Sequence, residues 1–116
     1  MIDFLIYYRK HKNKESYFPL FFVKKLVSKN LNIHVVGDYL KLKGIINHGR
    51  IDKKKLNLLL SKTKYSIGSG ENIFTLFTID CINNNVKIFI DNNFNHRINH
   101  YKDSFVKIDF QKNLKL

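Results

Sequence analysis

The chain has 116 residues, of which 44% are hydrophobic and 14% aromatic, so it forms at most one domain with a real core and is too apolar to be wholly disordered. Lysine and arginine outnumber aspartate and glutamate by 21 to 9, and the net charge of +12 favours anionic partners. The same Lys-, Asn-, Ile- and Phe-rich composition is typical of an AT-rich genome, so charge alone selects no function.

Cysteine content and hydropathy limit the compartment. The lone Cys81 excludes an internal disulfide and fits a reducing environment, where we expect it to be a buried structural thiol. No segment has the apolar length of a membrane span, and the first residues lack a signal-peptide pattern. We therefore expect a cytoplasmic protein, and its charge is compatible with peripheral contact with an anionic membrane.

The first third of the chain predicts a strand, a helix and a strand. Residues 3–8 form the continuous apolar run of a buried parallel strand. Residues 17–28 carry an apolar stripe at helical spacing, with Ser16 as the expected cap and Pro19 in the first turn. Residues 32–36 predict the second strand.

The middle of the chain repeats this alternation. A short apolar strand at residues 45–46 precedes a helix that begins at Asp52, a favourable N-cap, and runs to about Lys62. Residues 65–67 then predict a fourth strand. Strands that alternate with helices in this way are usually parallel, with helices on both faces of the sheet.

The last third begins with a glycine loop and an amphipathic helix framed by Glu71 and Asp80. Residues 86–90 predict a buried strand, and the alternation at 105–110 predicts a strand near a sheet edge. The fold class is therefore α/β, a Rossmann-like three-layer α/β/α arrangement with a mainly parallel sheet.

Ligands of such sheets bind beyond the carboxyl ends of the strands. The residues that follow the predicted strands are cations, glycines and a carboxylate, namely Arg9 with the lysine-rich loop to Lys14, Gly37, His48-Gly49, and Gly68-Ser69-Gly70-Glu71. A glycine loop before a helix offers free N–H groups to an anion, and the cations suit a diphosphate. Each residue also has an ordinary explanation, as a solvated loop, a turn or a helix cap.

These residues resemble a motif set in the C-terminal half of GT-B glycosyltransferases, the family-4-like group. That family has an Arg after the first strand and a Lys five residues later, as Arg9 and Lys14 are spaced here. Gly37 and Gly49 resemble its strand-ending glycines, and Asn47-His48-Gly49 is similar to its fucose-linked and N-acetylglucosaminyl-transferring branches. The family's E-x7-E pair resembles Glu71 and Asp80, and the similarity covers roughly residues 3–110.

The resemblance implies a single domain that binds a nucleoside-diphosphate sugar and transfers the sugar to a glycan or a lipid-linked acceptor without a metal or other cofactor. It implies catalytic roles for Arg9, Lys14 and Glu71. It also implies that the nucleotide sugar contacts Gly37, His48, Gly49, Gly68, Ser69, Gly70, Asn72 and Asp80. The family's acceptor-binding N-terminal domain has no counterpart here, so transfer is expected to need such a domain or a partner chain.

Two departures from the family keep a second reading open. Asp80 stands one residue further from Glu71 than the family's second acid, and it is Asp rather than Glu. Asn72-Ile73 replaces the usual proline and phenylalanine. The alternative is a non-catalytic, degenerate Rossmann-like binding module or partner subunit. A nucleic-acid-binding domain ranks below both, because only charge and aromatic content favour it.

Overall fold

A computed structural model describes the chain at residues 1–10, 18–68, 75–93, 98 and 100–112. The elements follow one another as β1 (Ile2–Tyr8), α1 (Leu20–Ser28), β2 (Ile33–Gly37), β3 (Ile46–Gly49), α2 (Lys53–Leu60), β4 (Thr63–Ile67), α3 (Leu76–Asn83), β5 (Lys87–Asp91) and β6 (Phe105–Ile108). A 3-10 turn (Lys102–Ser104) leads into β6.

The six strands form one sheet in the order β3-β2-β1-β4-β5-β6, and every neighbouring pair is parallel. The direction in which the chain adds strands reverses between β1 and β4, as in doubly wound, Rossmann-like sheets. The α/β class and the parallel sheet predicted from the sequence are therefore confirmed. β6 lies at an edge, as its alternating pattern predicted.

Helices cover both faces of the sheet and make three layers. On one face, α1 contributes a buried apolar side that packs on alternate residues of the strands, namely Phe22, Val23 and Leu26 on Phe4, Ile6, Ile33 and Val35. On the other face, α2 and α3 bury Leu60 and Cys81 against Leu5, Val36, Ile88 and Ile90. Each fully buried large apolar side chain contributes roughly 1.5–3 kcal/mol, so these two clusters supply most of the stabilisation.

The connection between β2 and β3 contains no helix. Residues 38–45 instead run over the face that α1 covers, and they bury Leu40 in the same apolar cluster. The Asn47 side chain fixes this loop through two hydrogen bonds of 3.0 Å, because its carbonyl accepts from the Leu40 N–H and its amide donates to the Leu40 carbonyl. One amide side chain thus supports a loop where a helix is usual.

Two helices begin later than the sequence predicted. α1 starts at Leu20, and Pro19 is its N-cap residue. The prediction that Pro19 lies in the first turn of a helix from residue 17 is therefore wrong. The predicted cap, Ser16, lies outside the described residues. α3 starts at Leu76, five residues after Glu71, and Thr75 caps it by accepting a hydrogen bond from the Thr78 N–H at 3.1 Å. The cap of α2 by Asp52 is confirmed, with the Lys55 N–H at 2.8 Å.

Within the described residues, none of the helices has the length and apolar character needed to cross a bilayer.

Candidate functional site

The carboxyl ends of the strands meet at one edge of the sheet, which we call the carboxyl edge. Five of the predicted site residues that the structure describes lie at this edge or in the strand just before it, namely Arg9, Gly37, His48, Gly49 and Gly68. The other five predicted residues from the loops, Lys14, Ser69, Gly70, Glu71 and Asn72, lie outside the described residues. The predicted convergence is therefore visible for the strand ends themselves.

The hydrogen-bonded pairing of β1 with β4 stops short of the carboxyl edge. The pairing of β1 with β2 continues to Tyr8 and Gly37, whereas its pairing with β4 ends at Phe4 and Tyr65. The strand order reverses between β1 and β4, and open α/β sheets bind their ligands at such a reversal. Arg9, which follows β1, is exposed beside it.

Asp38 ties three strand ends together, a role that the sequence analysis missed. Its N–H donates to the Tyr8 carbonyl at 2.8 Å, and its carboxylate accepts from the Lys10 N–H at 2.8 Å. The same carboxylate accepts from the Arg50 guanidinium at 3.0 and 3.3 Å. The hydrogen bonds from Lys10 and Arg50, with the nearby charge of Arg9, lower the pKa of Asp38. An acid directly after a strand-ending glycine was the available signal.

Asp38 therefore organises positive charge at the carboxyl edge. It holds the guanidinium of Arg50, whose side chain is 83% exposed, beside the backbone turn that carries Arg9 and Lys10. A fixed guanidinium offers parallel N–H donors that match phosphate and carboxylate oxygens. The edge thus presents exposed cations, although two donors of Arg50 are already taken by Asp38.

The three described glycines of the predicted site differ in what the backbone and the neighbouring strands require at each position. Gly37 has a φ of 99°, and a Cβ there would lie 2.4 Å from the Tyr8 carbonyl oxygen, so a side chain is excluded by the neighbouring strand. A Cβ at Gly68 would lie 2.6 Å from Cγ2 of Ile90 on β5. Gly49 has a φ of 73° with open space around it. Backbone conformation and strand packing explain Gly37 and Gly68 without any ligand.

His48 pairs with a second histidine on the adjacent strand. Nδ1 of His34 and Nε2 of His48 are 2.7 Å apart, and the rings stack with centroids 5.0 Å apart. Burial lowers the pKa of both rings. The charges of His48 and of the chain N-terminus add to the effect on the pKa of His34, and the charge of Lys55 adds to the effect on the pKa of His48. His34 lies inside the second predicted strand, so the sequence alone does not reveal this pair.

Asp80 lies between the two helices on one face rather than at the strand ends. Its carboxylate binds the ammonium of Lys53 on α2 at 3.5 Å, and its side chain is only 14% exposed. One turn further along, Asn84 donates to the Asn57 side chain at 3.1 Å. Asp80 thus has a partner within the protein and joins α3 to α2.

Tyr7 is an aromatic residue at the carboxyl end of a central strand, yet it is 48% exposed. Its ring contacts that of Phe77 on α3, with centroids 5.6 Å apart and planes inclined by 33°. The ring also lies beside Gly37, where an added Cβ would stand 3.5 Å from Cε2 of Tyr7. From the sequence, Tyr7 is predicted only as part of the buried first strand.

The chain matches no known protein family and no curated protein significantly. The described residues hold no group of three or more His, Cys, Asp or Glu side chains arranged to bind a metal ion. The carboxyl edge combines exposed cations with the reversal of strand order in a Rossmann-like sheet.

Proposed function

We propose that the chain is the donor-binding half of a GT-B-like glycosyltransferase and that it binds a nucleoside-diphosphate sugar at the carboxyl edge. The observation that carries the proposal is the reversal of strand order between β1 and β4, with Arg9 exposed just after β1. Such a reversal is the usual ligand site of doubly wound sheets. The spacing of Arg9 and Lys14 supports the same reading.

In this proposal the diphosphate lies against Arg9 and Lys14 and near residues 68–70, and Glu71 contacts the sugar. During transfer the bond between the sugar C1 and the diphosphate oxygen breaks, C1 forms a bond with the acceptor oxygen, and the acceptor's proton passes to the departing diphosphate. The cations stabilise the negative charge that grows on the departing diphosphate. The acceptor is held by a second domain or a partner chain.

A second candidate, a nucleotide-sugar-binding module without transfer activity, is favoured by the ion pair between Lys53 and Asp80. A ribose hydroxyl that bound Asp80 would compete with the Lys53 ammonium for the same carboxylate. The ribose contact inferred for Asp80 therefore stays a prediction, and a relic of a transferase would tolerate its loss.

Calorimetric titration of the full chain with UDP, GDP and inorganic pyrophosphate tests the binding site. We expect Arg9→Ala to weaken the binding of at least one nucleotide by roughly tenfold or more, since a hydrogen bond to a charged group contributes about 1.5–3 kcal/mol. Lys62→Ala is the matched control, because it removes an exposed cation at the opposite edge of the sheet, just before β4.

Two outcomes would contradict the proposal, and a further experiment separates it from its rival. Absence of nucleotide binding at millimolar concentration would overturn it. If Arg9→Ala and Lys62→Ala weaken nucleotide binding equally, the binding reflects general attraction between charges and not a site at Arg9. If the nucleotides bind in an Arg9-dependent way, release of UDP or GDP from UDP-N-acetylglucosamine or GDP-fucose, with acceptor extracts and candidate partner chains added, separates a transferase from a binding module.

A further inference from the structure

Tyr7 occupies an unusual position for a residue of a buried parallel strand. β1 is flanked by β2 and β4, and Phe4, Leu5 and Ile6 are almost fully buried. Tyr7 follows them with a side chain 48% exposed. A large aromatic ring in such a place leaves apolar surface in contact with water. This contact is unfavourable, and a smaller or polar residue would avoid it.

Contacts within the protein fix the orientation of the Tyr7 ring. Side chains two residues apart share a face of the sheet, and Leu5 belongs to the cluster under α2 and α3. Tyr7 accordingly lies on that face, where Phe77 of α3 supports its ring. The ring also lies beside the Gly37 backbone, because a Cβ at residue 37 would stand 3.5 Å from Cε2 of Tyr7, an ordinary van der Waals contact.

The ring also lies where a nucleotide would need it. Arg9 stands two residues after Tyr7, just beyond the end of β1, and Asp38 holds the Arg50 guanidinium at the neighbouring strand end. A nucleoside diphosphate combines a flat base with a diphosphate, and exposed aromatic rings stack on bases of any sequence. An aromatic ring next to cations on one sheet edge matches that pair of chemical groups.

We propose that Tyr7 is the stacking platform for the base of the bound nucleotide. This inference rests on the function proposed above, which assigns the diphosphate to Arg9. Tyr7 positions the nucleotide and takes no part in bond breaking. Its ring, rather than its hydroxyl, makes the contact, so phenylalanine and tryptophan replace it and an aliphatic residue does not.

The test compares UDP with inorganic pyrophosphate, which has the diphosphate and no base. We expect Tyr7→Leu, which keeps apolar bulk against Phe77, to weaken UDP binding by roughly tenfold and to leave pyrophosphate binding unchanged. Tyr7→Phe should bind UDP as the unmodified chain does. The control is Tyr101→Asn, which removes another exposed ring, 58% accessible, just before β6; Asn suits its left-handed φ of 57°.

A second readout uses fluorescence. The sequence has no tryptophan, so Tyr7→Trp introduces a lone indole at the proposed platform. UDP should quench its emission and pyrophosphate should not. Unfolding curves of every variant establish that the comparison is made on folded protein.

The outcomes separate the two proposals. If neither UDP nor pyrophosphate binds in an Arg9-dependent way, the proposed function fails and the platform fails with it. If pyrophosphate binding depends on Arg9 but Tyr7→Leu leaves UDP binding unchanged, only the platform is overturned. Equal losses of UDP and pyrophosphate binding in Tyr7→Leu also overturn it, since they indicate a general disturbance of the edge.

Discussion

Lys53 and Asp80 join α2 to α3 through an ion pair of 3.5 Å, in which the lysine side chain is 75% exposed and the aspartate side chain 14%. A pair with one exposed partner is screened by water and contributes little. We expect a double-mutant cycle of Lys53→Ala and Asp80→Asn to give a coupling energy of about 0.5 kcal/mol in denaturant unfolding.

The matched control for that cycle is Lys54→Ala, which removes the same charge one residue further along α2 and should show no coupling with Asp80→Asn. Titration with UDP completes the experiment. If Asp80 serves only the helix contact, Asp80→Asn leaves UDP affinity unchanged. A large loss of affinity would instead assign the carboxylate to the ribose.

Substitution of Gly37 tests whether the backbone at that position requires glycine. Gly37→Ala combines a left-handed backbone, costing about 1–2 kcal/mol, with a steric clash costing about 1–3 kcal/mol, so we expect a destabilisation of roughly 2–5 kcal/mol. Gly49→Ala meets the same kind of φ but open space, so it should cost only about 1–2 kcal/mol. Chemical unfolding of both variants measures the difference. Equal losses would show that contact with Tyr8 is unimportant.

Much of the fold follows from local patterns in the sequence. The apolar run of β1, the Asp52 cap and the alternation of β6 were each sufficient to predict an element that the structure contains. Asn85, two residues after the end of α3, has a φ of 60°, a left-handed conformation that asparagine tolerates. These features depend on near neighbours, so a single sequence reveals them.

The parts that were missed depend on contacts between distant residues. The start of α3 is a local exception, because Thr75 caps the helix and Glu71 earlier in the sequence offers a competing start. Asp38 and Arg50 meet because adjacent parallel strands end together. The partners of His48 and Asp80 likewise lie on neighbouring elements, 14 and 27 residues away, at His34 and Lys53. Spacing along the chain cannot identify such pairs before the sheet order is known.

Cys81 is predicted to be inert while the protein is folded. The thiol is completely buried, and burial raises its pKa to about 12, so the reactive thiolate is almost absent near neutrality. A disulfide reagent at pH 8 should label the native chain only slowly, at the rate of transient opening, and should label one thiol at once in denaturant. Rapid stoichiometric labelling of the folded chain would contradict this burial.

The histidine pair predicts a stability that depends on pH. Burial lowers the pKa of His34 and His48 below 6.5, so the unfolded chain binds more protons than the folded chain just below that value. Stability is therefore complete above pH 6.5 and decreases as the pH falls through the lowered pKa values. The 2.7 Å contact adds to this loss, because one ring must stay neutral to accept the hydrogen bond.

Urea unfolding between pH 7.5 and about 2.5 measures this dependence, and the double variant His34→Gln/His48→Gln should flatten it above pH 4.5. The pKa values of Asp38 and Asp109 are also lowered, mainly by hydrogen bonds to backbone N–H groups, so their contribution is lost only as the pH falls below about 3.8. The double variant should accordingly keep the same loss of stability in that more acidic range. An unchanged slope above pH 4.5 would show that the histidine pair does not control the acid response of the fold.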